Sequence, residues 1–169
     1  PEVHSLHVAG LALSLFDQTK REHRLGQQER TWLEYAAILH DVGYLINPRQ
    51  HHKHAYYLIK HSDLSGFTAE EIDVMANIAR YHRRALPSLK HEAFDCLTPR
   101  LQRVTKILAS LLRIADGLDR THFSLVQALK VKFGKQMTIE VHLKGDAEME
   151  LCAAKSRAEV DPFYAPFFV

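Results

Sequence analysis

Apolar residues recur at helical spacing through most of the chain and give way near its end to strict alternation. Val3, Leu6, Val8, Leu11, Leu15 and Phe16 predict an amphipathic first helix that ends in the polar stretch Lys20 to Gly26. A second helix is expected from about Gln27 to His40, with Trp32, Leu33, Ala36, Ala37 and Leu39 apolar and Gly43 suited to its exit. A third runs roughly from His51 to His61 through Tyr57, Leu58 and Ile59. Ser65-Gly66-Phe67 makes a turn, and Thr68-Ala69-Glu70-Glu71 is a capping box, whose hydroxyl and carboxylate satisfy free amides at a helix start; the fourth helix then continues to about Tyr81. Pro87 breaks the pattern, Lys90 to Leu97 reads as a loop, and Thr98-Pro99 supplies an N-cap and a first-turn proline for a fifth helix, about Arg100 to Asp119.

After Phe123 the period falls to two. Lys130 to Phe133, Thr138 to Leu143 and Glu148 to Leu151 read as strands, with turns at Gly134-Lys135 and Lys144-Gly145-Asp146 and a last short helix at Pro162 to Phe168. The expectation is a mainly α protein: a helical bundle over residues 1–125, then a small antiparallel β-rich subdomain over 126–169 with a terminal helix.

Composition narrows the function classes. The chain has 169 residues, 46% of them hydrophobic, enough for one well-buried core. Apolar runs such as residues 107–112 fall far short of the ~20 needed to span a bilayer, and no leader pattern opens the chain, so a cytoplasmic protein with no membrane partner is expected. Cys96 and Cys152 are too few and too distant for a disulfide framework. A net charge of +2 argues against duplex DNA, whereas twelve histidines are the one compositional oddity. The chain opens at Pro1 inside a helical pattern, which suggests that an upstream part is missing.

Several of those histidines point inward. His4 lies four and seven residues before Val8 and Leu11; His40 stands likewise to Ala36 and Leu33, and His82 to Ala79 and Met75. Asp116 interrupts the core face of the most apolar helix, four and eight residues after Leu112 and Leu108. A lone inward histidine is more often a hydrogen-bonded core residue than a ligand. A buried unpaired carboxylate is harder to accommodate, since it costs several kcal/mol or takes up a proton, and a cation resolves the problem. His4, His40, Asp41 and Asp116 offer mixed nitrogen and oxygen ligation suited to a divalent ion, whether manganese, iron, zinc, nickel or magnesium, with Asp41 and His40 as the catalytic pair.

Arg49 to His54 places three histidines and two cations where the third helix begins. His51 or His52, with His82, is a candidate for a second ion; the other reading of His52 and His54 is a solvated basic helix start. Basic residues at a helix N-terminus oppose its dipole unless an anion sits there, so Lys53, His54, Arg83, Arg84 and Arg120 are candidate phosphate contacts.

A histidine on an early helix, the pair His40-Asp41 closing a second and Asp116 on a later one resemble the HD superfamily of metal-dependent phosphohydrolases, through HSLHVAG, ILHDVGY and RIADGLDR. HHKHAYYLIKHSDLSGF, ARYHRRALP and LLRIADGLDR further resemble the C-terminal region of the exopolyphosphatase/guanosine pentaphosphate phosphatase (Ppx/GppA) family, over nearly the whole chain. The resemblance implies an HD-type helical domain and a phosphate-rich anion, polyphosphate or a guanosine polyphosphate, as partner. It also implies a homodimer and a partner N-terminal domain of the actin-like type, which carries the family's catalytic glutamate and is absent from these residues. Some members have lost the metal ligands, whereas all four are present here.

Two functions compete. One is a phosphohydrolase acting through bound metal; the other is a non-catalytic polyphosphate-binding and dimerisation module serving the absent catalytic domain. A plain helical scaffold is the third reading, for which Asp41 and Asp116 are awkward.

Overall fold

A computed structural model describes residues 2–134 and 137–159. The helical period is realised as α1 (Glu2–Gln18), a short α2 (Lys20–His23), α3 (Gln27–Leu39), α4 (His51–Lys60), α5 (Ala69–Arg80), a short α6 (Glu92–Asp95) and α7 (Pro99–Gly117), with 3-10 turns at Val42–Leu45 and Pro48–Gln50. The hairpin β1 (Val126–Phe133) and β2 (Met137–Leu143) follows, then α8 (Glu148–Glu159). The fold class is the one expected, a mainly helical body followed by a small antiparallel sheet and a C-terminal helix, although α8 is not the helix placed at residues 162–168.

Local chemistry explains the helix starts. Thr68 Oγ1 accepts the Glu71 amide while Glu71 accepts the Thr68 amide at 2.8 Å, closing the capping box of α5. Thr98 caps α7, with Pro99 at its first position. That helix is the axis of the fold: it packs against α1, α3, α5 and α8, burying Leu101, Val104, Ile107, Leu108, Leu111, Leu112 and Ala115. Along α1 the buried stripe is Val8, Leu11, Ala12, Leu15 and Phe16, whereas Val3 and Leu6 are exposed.

In the hairpin, Leu129 pairs with Val141 and Val131 with Ile139, with an irregularity between Val126 and Ala128. Gln18 ties it to α1, donating to Leu129 O at 3.0 Å and accepting from the Val131 amide at 2.8 Å.

Two expectations are corrected. Glu148 to Leu151 is not a third strand but the first turn of α8. Four alternating residues fit either period, and Glu, Met, Leu and Ala favour a helix; Gly145, at φ +94°, turns the chain, and Asp146 Oδ1 accepts the Glu148 amide. The alternation even has the opposite sense: Met149 and Leu151 face solvent and Glu150 is buried. Nor is Lys90 to Leu97 all loop, since α6 seats Phe94 in the core. The helix expected at Pro162 to Phe168 lies outside the described residues.

Candidate metal centre

Side chains of α1, α4 and α7, and of the chain at or just beyond the ends of α3, α5 and α7, converge on one cluster. His4, near the start of α1, is 3% exposed, and its Nδ1 meets Asp119 Oδ2 at 2.8 Å. His40 closes α3 and directs Nδ1 at Ala37 O, 2.6 Å away. Asp41 follows, and its side chain turns between two groups of imidazoles: Oδ1 is 3.5 Å from His40 Nε2 and 3.2 Å from His51 Nε2, while Oδ2 is 3.6 Å from His4 Nε2. Asp116, in the last turn of α7, sets Oδ1 3.3 Å from His4 Nε2 and 3.5 Å from His40 Nε2.

His51 reaches Asp41 because α4 starts almost on top of the turn after α3. A Cβ on Gly43 would stand 2.0 Å from His51 O and 2.5 Å from the Ala55 amide, so this close approach admits glycine alone. His82, just beyond α5, donates Nδ1–H to Ala79 O at 2.6 Å and lies 3.9 Å from Asp41 Oδ1. Donor atoms of His4, His40 and Asp41 lie within 4.8 Å of one another, as do those of Asp41, His51 and His82.

The acceptors beside Nδ1 of His4, His40, His51 and His82 (Asp119, and the carbonyls of Ala37, Pro48 and Ala79) assign a ring proton to Nδ1 in each and leave Nε2 to take either a second proton or a cation. All four Nε2 atoms then face one another and the two aspartates. Nε2 of His4 and of His40 is buried without a hydrogen-bond partner. His51 and His82 bring Nε2 to Nε2 at 3.2 Å. Burial holds both of these rings below the ordinary histidine range, so they are neutral, and two lone pairs meet with no proton to share. Two carboxylates and converging imidazole lone pairs fit a cation of the nitrogen- and oxygen-binding kind.

The electrostatics agree. Burial alone would depress His4 and His40, but the carboxylates of Asp116, Asp119 and Asp41 around His4, and of Asp116 and Asp41 around His40, outweigh it, raising His4 to about 9 and His40 above its usual value. Burial would likewise raise Asp116, yet His4, His40 and Arg157 hold it well below the usual carboxylate range. Without a metal, protons carry out the neutralisation that a cation would otherwise supply.

A cavity of about 100 Å³ opens on this cluster, lined by Asp41, Tyr44, His51, His82 and Asp116 together with Arg83, Arg120, His122 and Arg157. A single water needs about 10–15 Å³ of such space, so the cavity is large enough for several waters or a phosphoryl group. Of the residues singled out in the sequence, His4, His40, Asp41, Asp116, His51 and His82 come together, and Arg83 and Arg120 line the cavity. Lys53 and Arg84 are exposed, His54 is half-buried, and none of the three lines it. His52 is buried with its ring 6.0 Å from that of His51, also outside the lining.

Sequence reasoning passed over Asp119, His122, Tyr44 and Arg157. Asp119 had a signal, standing three residues after Asp116 on the same helical face. His122 stacks on His4 with centroids 3.7 Å apart, in a loop where His122 and Ser124 both take positive φ, 62° and 52°. Strained backbone of this kind persists only where the surroundings enforce it; Asp119 does so through its carbonyl to the His122 amide and its Oδ1 to the Ser124 amide. Tyr44 stacks on His51 at 4.0 Å.

Comparison with known proteins supplies the context. The family described as Ppx/GppA phosphatase, domain III, matches residues 2–155. A guanosine-5'-triphosphate,3'-diphosphate pyrophosphatase of Photobacterium profundum is 30% identical over 124 residues, 72% of this chain and 25% of that protein. The chain thus spans about a quarter of the length of that curated relative. A match over residues 2–155, together with a relative carrying the family's activity in its name, leads to one assignment: this chain belongs to the Ppx/GppA phosphatase family and corresponds to its third domain.

Proposed function

We propose that this chain is an HD-type metal-binding domain that handles a phosphate anhydride or ester, polyphosphate or a guanosine polyphosphate, at the cluster between α1, α3, α4 and α7. The observation that carries the reading is the convergence of the buried Nε2 atoms of His4 and His40 on the carboxylates of Asp41 and Asp116, at 3.3 to 3.6 Å. His4, His40, Asp41 and Asp116 would hold one divalent ion, and Asp41, His51 and His82 a second, with Asp41 shared. A divalent ion bound there supplies Lewis acidity and a water of lowered pKa.

The chain's own groups do the rest. Arg83, 3.4 Å from His51 Nε2, and Arg120 face the cavity and grip phosphoryl oxygens, for which a guanidinium is suited by its fork of donors. Tyr44, stacked on His51, forms part of the cavity wall. Purified chain loaded with Mn²⁺ should release phosphate from polyphosphate or from guanosine pentaphosphate, and Asp41→Ala or Asp116→Ala should reduce the rate by at least a hundredfold. Absence of turnover by metal-loaded wild type on both substrates contradicts the enzymatic reading.

One observation favours a second reading: the chain spans a quarter of its relative, so the same arginine-lined cavity would dock the anion for a catalytic domain elsewhere in a longer protein. Polyphosphate would then bind without turnover and more weakly at high salt, and Arg83→Ala would lower affinity. Affinity unchanged between low and high salt counts against it.

A further inference from the structure

We propose that α8 completes the metal site: Arg157 ties down one oxygen of Asp116, so that only the other is presented to a cation. This rests on the metal reading above and adds to it an element that the ligand pattern does not contain.

Arg157 Nη1 donates both to Arg113 O, at 2.9 Å, and to Asp116 Oδ2. The two hydrogens of that nitrogen are therefore committed in two directions, which fixes the guanidinium and with it the rotation of the carboxylate. The remaining oxygen, Oδ1, is the one that faces His4 Nε2 and His40 Nε2. A carboxylate free on both sides can chelate an ion; one held by an arginine offers a single oxygen.

The rest of α8 is seated to make that contact dependable. Ala154 lies so close to α7 that a Cβ on Gly117 would stand 2.9 Å from its backbone. Glu150, 1% exposed, accepts hydrogen bonds from the amide and the hydroxyl of Thr121. These anchors bracket residues 117–121 and so hold Asp119, the residue that meets His4 Nδ1, from both sides. Arg157 is thus a positioning residue, acting through Asp116.

Cobalt(II) at saturating concentration reports the outcome, because its visible absorption weakens as coordination number rises. Wild type and Arg157→Lys, which keeps a donor for Oδ2, should give the same spectrum, and Arg157→Met, which keeps the side chain's bulk but no donor, a weaker, shifted one. Superimposable spectra for wild type and Arg157→Met, or an equal change in Arg157→Lys, overturn the proposal. A wild type that takes up no cobalt at all sinks the metal reading beneath it, a result distinct from unchanged spectra. Should Arg157→Met fail to fold, the infrared difference between metal-loaded and metal-free wild type decides: single-oxygen binding widens the carboxylate splitting, and chelate-type narrowing overturns the proposal.

Discussion

Asp119 shows how much a residue without a place in the ligand pattern can control. It is fully buried, meets His4 Nδ1 through Oδ2 and the Ser124 amide through Oδ1, and so sets both the His4 tautomer and the loop whose His122 stacks on His4. Partners of this kind typically change metal affinity by about 10–100-fold when removed. Asp119→Asn should therefore weaken Mn²⁺ binding by about that factor in a chelator-competition titration; affinity equal to wild type contradicts the assigned role. His23 offers a residue-scale test remote from the site. It is buried, with Nε2–H donating to Phe16 O at 2.9 Å and Nδ1 accepting the Leu25 amide, and burial lowers its pKa below 6.5. The unfolded chain then binds the extra proton first, so the stability tied to His23 is complete above pH 6.5 and drains away as the pH falls below that value toward the folded-state pKa. Urea melts between pH 7.5 and 5 should show a smaller loss in His23→Gln than in wild type; parallel losses contradict this.

Among the elements, α4 and α8 divide what the sequence could and could not reveal. The helices carrying His4, His40 and Asp116 were legible because each has a long apolar stripe, and Thr98-Pro99 marked where α7 begins. His51 could not be separated from His52 by pattern, since both sit at the first turn of α4 and only the packing of that turn against Gly43 decides which ring meets Asp41. Gly43→Ala should push α4 away, with a stability loss at or above the upper end of the ~1–3 kcal/mol typical of overpacking, because backbone atoms and not a flexible side chain are in the way. A melting curve like that of wild type contradicts the close approach. Arg157 was invisible for a different reason: the Glu-Met-Glu-Leu alternation reads as a strand, and a strand there would not carry Arg157 to Asp116. Lys53, His54 and Arg84 illustrate the converse, since proximity in sequence to a ligand does not turn a side chain toward it.

At the scale of the molecule, α7 passes through the whole helical body and ends in the site, so the core that stabilises the fold also holds Asp116 in place. Among the described residues no helix is long and apolar enough to cross a membrane. A ligand that binds only the folded state adds RT ln(1 + [L]/Kd), about 2.7 kcal/mol at a hundredfold excess over Kd. Thermal denaturation should accordingly shift upward by several degrees on adding Mn²⁺ and return on chelation, with no shift in Asp116→Ala.

The central claim, that His4, His40, Asp41 and Asp116 from separate elements close around a cation, is tested most directly by elemental analysis of protein purified without chelator and dialysed against metal-free buffer. At least one divalent ion per chain in wild type, and none in Asp116→Ala, is the predicted result. Metal-free wild type, unable to take up Mn²⁺, Fe²⁺, Zn²⁺, Ni²⁺ or Mg²⁺ more tightly than Asp116→Ala, would contradict it.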